Sequence, residues 1–443
     1  MASAAEQLAA NLNFSAFAKA EELKKRIWFT LGALIVYRLG TYIPLPGIDP
    51  AALARVFNQQ QSGLLGVFDM FAGGAVGRMA IFALAIMPYI SASIIIQLMT
   101  SVSSHLEQLK KEGEQGRKQI NQYTRYGTVF LAAIQGYGIA IGLEGAQNVV
   151  MDPGLFFRAT TVITLVGGTV FLMWLGEQIT SRGVGNGISL IIFSGIVAQL
   201  PHAIVGTLEL GREGALSTFV ILFLAVMVVA VIMAIVFMER AQRKLIVQYP
   251  KRQVGNKMYG GDSSHLPLKL NTSGVIPPIF ASSLLLLPVT AANFSGGQGP
   301  EWLNTITALL AHGQPLYMLL YAVGIIFFAF FYTAIVFNPQ DTAENLKKYG
   351  GFIPGIRPGA RTAEYIDYVL TRLTLVGALY LVAVCLLPEV LISQYSVPFY
   401  FGGTSLLIVV SVTMDTVSQI QSHLLAHQYE GLIKKSKLRG QRR

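Results

Sequence analysis

Twenty consecutive residues, Phe219 to Met238, contain no charged side chain. A helix of about 20 apolar residues crosses the roughly 30 Å hydrocarbon core of a bilayer. Similar blocks recur along the chain. Hydrophobic residues fill 53% of the 443 positions and charged residues only 13%, against about 25% in a soluble domain. The chain reads as an integral membrane protein. Residues 1–26 carry Glu6, Lys19, Glu21, Glu22, Lys24, Lys25 and Arg26, which is not the layout of a cleavable signal, so the first apolar block reads as a retained anchor. The single Cys385 excludes an intrachain disulfide and reads as a small core residue.

Apolar blocks set against loop signals give ten spans. The first five are Ile27–Ile43, Met79–Met99, Tyr123–Gly142, Thr160–Leu175 and Gly187–Val205. The second five are Phe219–Met238, Val275–Ala292, Leu316–Val336, Leu373–Leu387 and Thr404–Ser422. The N-terminus, the loops 2–3, 4–5, 6–7 and 8–9, and the C-terminus together hold 28 of the 33 Lys and Arg. That bias places them in the cytoplasm. It also accounts for the net charge of +10 without nucleic acid. The organisation expected is a segment 1–26, a first half 27–205, an external connection 206–218, a second half 219–422 with loops 239–270 and 337–372, and a tail 423–443. Five spans per half invert the second half relative to the first.

Several segments do not behave as ordinary spans. Residues Gly63–Gly77 are apolar but too short to cross, with five glycines and Asp69. They are either a re-entrant segment lining a cavity or an amphipathic surface loop. Span two carries Pro88, Ser91, Ser93 and Gln97, with Pro88 expected to remove one helical hydrogen bond. Span seven opens similarly, from Asn271 through Pro277 and Pro278. Ile86 and Ile90 are four apart, as are Ile279 and Ser283, so each pair shares a helix face. The alternative is plain helix packing. The 6–7 connection carries Arg240, Arg243, Lys244, Lys251, Arg252 and Lys257. The 8–9 connection includes Lys347 and Lys348, then a Gly/Pro tip, Gly350–Gly359, that presents Arg357. Insertion topology explains their charge but not their length, which favours a docking surface.

Chemistry is sparse. No Walker A, H-E-x-x-H or G-x-S-x-G pattern occurs. His423 and His427 have i,i+4 spacing without a third ligand, and read as an interfacial pair. Neither an enzyme nor a cofactor is expected. Arg38, inside span one, either snorkels to the outer interface or forms a buried ion pair. Asp415 is the one acidic residue well inside a span. That scarcity counts against the rival reading, a proton- or sodium-coupled secondary transporter with inverted repeats. An intramembrane protease lacks its nucleophile or metal motif.

The stretches Ile86–Gln97, Trp174–Gly187, His265–Asn271, Phe352–Gly359 and Tyr400–Ser405 resemble, in order, those of the SecY family, the central subunits of the Sec translocon in bacterial inner membranes. The similarity runs from about Leu23 along nearly the whole chain. Two departures are Ala85, where the family usually has Gly, and Gly77, where Ser is common. The resemblance implies an all-α protein of ten transmembrane helices, in two inverted five-helix halves around a central pore. Residues 63–77 would be the plug, with Phe68, Asp69, Phe71, Gly73 and Gly74. Ile86, Ile90, Ile192, Ile279, Ser283 and Ile408 would form the pore ring, whose aliphatic side chains exclude ions by dewetting. Ser91, Ser93, Gln97, Asn271 and Thr272 would line a lateral gate for signal sequences. Arg243, Lys244, Lys251, Arg252, Arg357 and Arg361 would dock a SecA motor ATPase or the ribosome and its RNA. Small SecE-like and SecG-like membrane subunits, unfolded polypeptides and the lipid bilayer complete the implied partners.

Overall fold

The computed structural model describes residues 20–440 apart from 61–68, 70, 146–148, 215–216, 250–251, 255–256, 260–262, 295–304, 306–307, 311–313 and 396–402. The chain divides into two compact units. The first comprises residues 1–202, 287–308 and 412–443, and the second 203–286 and 309–411.

The first unit opens with α1 (Glu21–Gly40) and the short α2 (Pro50–Gln60). It continues through α3 (Met87–Val102), α4 (Ser104–Lys111), α5 (Glu114–Gly145), α6 (Leu155–Arg182) and α7 (Gly187–Arg212), which runs on past the unit's limit at 202. Along α5, Ala132, Gly136 and Ala140 are buried at four-residue spacing. Small residues on one face let two membrane helices approach closely, and Gly136 packs on Leu165 and Val162 of α6. Nearer the polar ends of the same helices, Arg125 and Glu177 form a two-pronged ion pair, Nε to Oε1 at 3.0 Å and Nη2 to Oε2 at 2.8 Å. The helix α5 begins well before the expected Tyr123, because Gln115, Arg117, Lys118 and Gln119 are good helix formers that continue it into a polar region.

Span two is shorter than its apolar block. Only Met87–Val102 is helical, and residues 79–86 are turns, where the sequence suggests helix from Met79. Met79 and Ala85 have φ of +43° and +47°, a left-handed backbone that cannot propagate a right-handed helix. Residues 79–81 pair instead with 43–45, Leu45 N–H donating to Met79 O and Ile81 N–H to Ile43 O, both at 2.9 Å. Pro88 therefore removes no helical bond. It stands in the first turn of α3, where N–H groups lack helical partners in any case.

The second unit contains α8 (Thr218–Arg240), strands β1 (Gln242–Gln248), β2 (Arg252–Val254), β3 (Lys257–Tyr259) and β4 (Ser263–Lys269), and the start of α9 (Ile276–Phe294). Then come α10 (Pro315–Val336), α11 (Pro339–Lys348), α12 (Ala360–Tyr395) and the start of α13 (Gly403–Gly440). Phe219, Val226, Met233 and Phe237 of α8 are exposed, as suits a helix apolar all round and facing lipid. Among the described residues, ten helices thus fall on the ten expected spans. Seven are long and apolar, α3 and the first part of α9 are shorter, and α1 supplies the first.

The 6–7 connection adds strands to an otherwise helical protein. β1 pairs antiparallel with β4, and β2 with β3. In β1, Leu245 and Val247 point inward while Lys244 and Ile246 face out, the period-two pattern of a half-buried strand. Gln248 and Phe352 exchange backbone hydrogen bonds at 2.9 and 3.0 Å, tying this hairpin to the 8–9 connection. Leu245, Leu268, Ile353 and Ile366 form their common core. The two long connections thus share one apolar core within the second unit.

Candidate functional site

The glycine-rich segment is described from Asp69, with Phe68 outside the described residues, as is Met70. Phe71 and Ala72 are buried, and Gly73 and Gly74 turn the chain at φ of +65° and +84°. Such a turn suits glycine, since a side chain there is strained. A Cβ on Gly73 would lie 2.6 Å from Arg38 Nη1 and 2.9 Å from Gly195 Cα of α7. On Gly74 it would lie 2.6 Å from Gln199 Nε2. The turn is closed internally by Gly74 N–H on Asp69 O at 2.8 Å and Gly77 N–H on Asp69 Oδ1 at 2.7 Å. Tyr37 Oη donates to Ala72 O at 3.3 Å. The segment is thus packed between α1 and α7.

Two cations converge on it. Arg38 Nη1 donates to Gly73 O at 2.9 Å, and Arg78 Nη2 donates to the same oxygen at 3.2 Å. Arg78 Nε donates to Thr41 O at 3.2 Å. Both guanidinium groups lie over the ring of Tyr42, at 5.5 and 4.2 Å from its centroid. The sequence leaves Arg38 between snorkelling and an ion pair. Its partner is a backbone carbonyl, a class of contact that residue type alone does not reveal. A cation in a span close to a glycine pair in the next segment is the signal that was available.

The six ring candidates divide evenly. Ile86, Ile90 and Ile192 are buried in the first unit, and Ile90 N–H donates to Ile86 O at 3.0 Å, so these two stand one helical turn apart. In the second unit Ser283 and Ile408 are buried and Ile279 is half-buried. Ser283 Oγ donates to Ile279 O at 2.8 Å. That bond leaves the hydroxyl satisfied by its own helix, so it sits among apolar groups without a stray donor.

Among the gate candidates, Gln97 Nε2 donates to Ser93 Oγ at 3.2 Å, and Gln97 Oε1 is buried with no hydrogen-bond partner among the described residues. Ser91 is buried. Asn271 Nδ2 donates to Glu239 Oε1 at 2.7 Å and Gly274 O at 3.1 Å, while its own Oδ1 accepts from Ser273 Oγ at 3.1 Å. Thr272 Oγ1 donates to Lys269 O at 3.1 Å. Of the docking candidates, Arg243, Lys244, Arg357 and Arg361 are exposed in these connections. Lys251 lies outside the described residues, and Arg252 is placed in β2 by its backbone. Thr362 Oγ1 donates to Arg357 O at 3.0 Å, and Gly355 and Gly359 take φ of +84° and +112°, fixing the tip.

Long apolar helices, a buried glycine turn packed between α1 and α7 and a basic region built from two connections define a multi-pass membrane protein. A model of the SecY family matches residues 80–417. Protein translocase subunit SecY of Escherichia coli K12 is 59% identical over 423 residues, covering 95% of this chain and 96% of that one. SecY of Rickettsia bellii is 58% identical over 433 residues, covering 97% and 100%. A solved protein-conducting channel superposes with a TM-score of 0.62 at 18% identity, over 90% of this chain and 92% of that one. The chain belongs to the SecY family.

Proposed function

We propose that this protein is the pore subunit through which unfolded secretory polypeptides cross the bacterial inner membrane, releasing signal sequences and transmembrane segments sideways into lipid. The observation that carries the reading is the buried turn at 71–76 within a chain of the SecY family. A solved SecY of the same fold, with a TM-score of 0.60, has a plug domain that stabilises the closed state and maintains a membrane seal. Residues 63–77 are the plug of this chain. Ile86, Ile90, Ile192, Ile279, Ser283 and Ile408 close the pore, yielding around a passing chain while offering it no charge. Ser91, Ser93, Gln97, Asn271 and Thr272 border the lateral gate. The unpartnered Gln97 Oε1 is suited to accept from an entering segment.

Both termini and the basic region lie in the cytoplasm, following the distribution of 28 of 33 Lys and Arg. There Arg357 and its basic neighbours dock a motor or a ribosome. Canine Sec61, of the same fold, has been solved in a ribosome–channel complex, and yeast Ssh1 bound to the 80S ribosome. A small SecE-like subunit accompanies the chain, with a SecG-like one.

The test is reconstitution into proteoliposomes with the small subunits and a SecA-type motor. Import of an unfolded secretory precursor is expected to need both motor and channel. Solute counterflow without motor or ribosome would identify a secondary transporter instead.

A further inference from the structure

We propose that Arg38 and Arg78 are the latch that holds the plug closed. The proposal rests on the reading of residues 63–77 as the plug, and adds to it the groups that keep it seated. Gly73 O accepts from both guanidinium groups, at 2.9 and 3.2 Å, so both of its lone pairs are committed to charged donors. Charge-assisted bonds are roughly twice as strong as neutral ones. The two arginines stay with the end of α1 when the turn moves. Arg38 belongs to that helix, and Arg78 is tied to its following residues through Thr41 O and the ring of Tyr42. The glycine pair is what lets them reach. A Cβ at 73 would stand 2.6 Å from Arg38 Nη1, and one at 74 would stand 2.9 Å from Arg78 Nη2.

Holding two like charges over one aromatic ring is unfavourable unless an acceptor and a π face compensate both. The closed segment supplies the acceptor. Once Gly73 O departs, each guanidinium loses its strongest partner in the turn, so the latch is one that closed geometry alone satisfies. Reseating is then favoured each time a substrate leaves.

The experiment measures resting ion conductance in planar bilayers for the assembled channel. Wild type is compared with Arg38→Gln, Arg78→Gln, the double variant, and deletion of 63–77. Each single variant is expected to raise resting open probability about tenfold, the weight of one hydrogen bond to a charged donor, and the double variant to approach the deletion. Arg38→Lys, which keeps a charged donor, restores most of the closure. A deletion that does not leak overturns the plug reading. A deletion that leaks beside a double variant as tight as wild type overturns the latch alone. Thermal unfolding and copurification of the small subunits report folding. If the double variant misfolds, Tyr42→Leu carries the test, because it removes the π face and leaves both arginines. An unchanged conductance there overturns the proposal.

Discussion

The Asn271 amide donates to the Glu239 carboxylate at 2.7 Å, joining the second residue after β4 to the end of α8. Its remaining polar atoms are engaged by Gly274 and Ser273. Asn271 thus fixes the approach to α9 as much as it borders any gate. Asn271→Ala is expected to destabilise the second unit by about 1.5–3 kcal/mol, the weight of a hydrogen bond to a charged group. Thermal unfolding in detergent measures it. An unchanged melting temperature with altered signal-sequence selection would make Asn271 a gate residue only.

Ala85 stands in the left-handed region at φ +47°, immediately before the buried Ile86. A non-glycine residue there costs about 1–2 kcal/mol. Ala85→Gly, which removes the Cβ from this left-handed position, is expected to raise the melting temperature by a few degrees. A lower melting temperature would mean that glycine's added freedom in the unfolded chain outweighs the strain relieved.

Burial pushes the Asp69 carboxyl above its ordinary value, opposed by the Gly77 N–H and by Arg78. The seated segment therefore binds this proton more tightly than the same segment in water. Seating is strongest at acid pH and weakens as pH rises through the elevated value. Resting conductance is expected to rise over that window. Asp69→Asn keeps the acceptor for Gly77 and cannot ionise, so its conductance should stay low and flat with pH. A variant that follows the wild-type slope would exclude Asp69 as the titrating group.

Arg357 is exposed on a tip fixed by Thr362 and two left-handed glycines. Arg357→Glu is expected to abolish motor-driven translocation while leaving the protein folded and inserted. Thr362→Val, which frees the tip backbone, should reduce translocation several-fold. Normal import of a standard secretory precursor by the Glu variant would take Arg357 out of the docking site.

Much of this was legible in the sequence because membrane spans are written in one variable, the length of an apolar block. The start of α3 was not, since Met79 and Ala85 are ordinary residues whose φ is set by packing. Gly168 of α6 lies so close to the Ile81 carbonyl that a Cβ would collide with it. The sheet pairing of 242–248 with 263–269 was missed as well. Leu245, Ile246 and Val247 form an unbroken apolar run after Arg243 and Lys244, so no period-two alternation in the sequence marks the strand. The shared signature of spans two and seven, a proline-bearing first turn, was visible as Pro88 and Pro277. Its helical position needed the structure.

The pore ring is the part of the function that rests most on family membership. Single Ile→Ser changes at 86, 90, 192, 279 or 408 are expected to be mild, because the remaining side chains close the gap. Two or three together should wet the constriction and raise resting conductance with little loss of translocation. Ordinary core residues predict the reverse. Each truncation would then leave a cavity costing about 2–5 kcal/mol, and the protein would lose stability or yield without leaking. Melting temperature and conductance, measured on the same preparations, separate the two. The geometric test places a cysteine at each position in a Cys385→Ser background, and stalls a substrate bearing one cysteine in transit. Disulfides from α3, α7, α9 and α13 to the same substrate residue are expected. Crosslinks confined to one or two of these helices would mean that the five side chains do not share a pore axis.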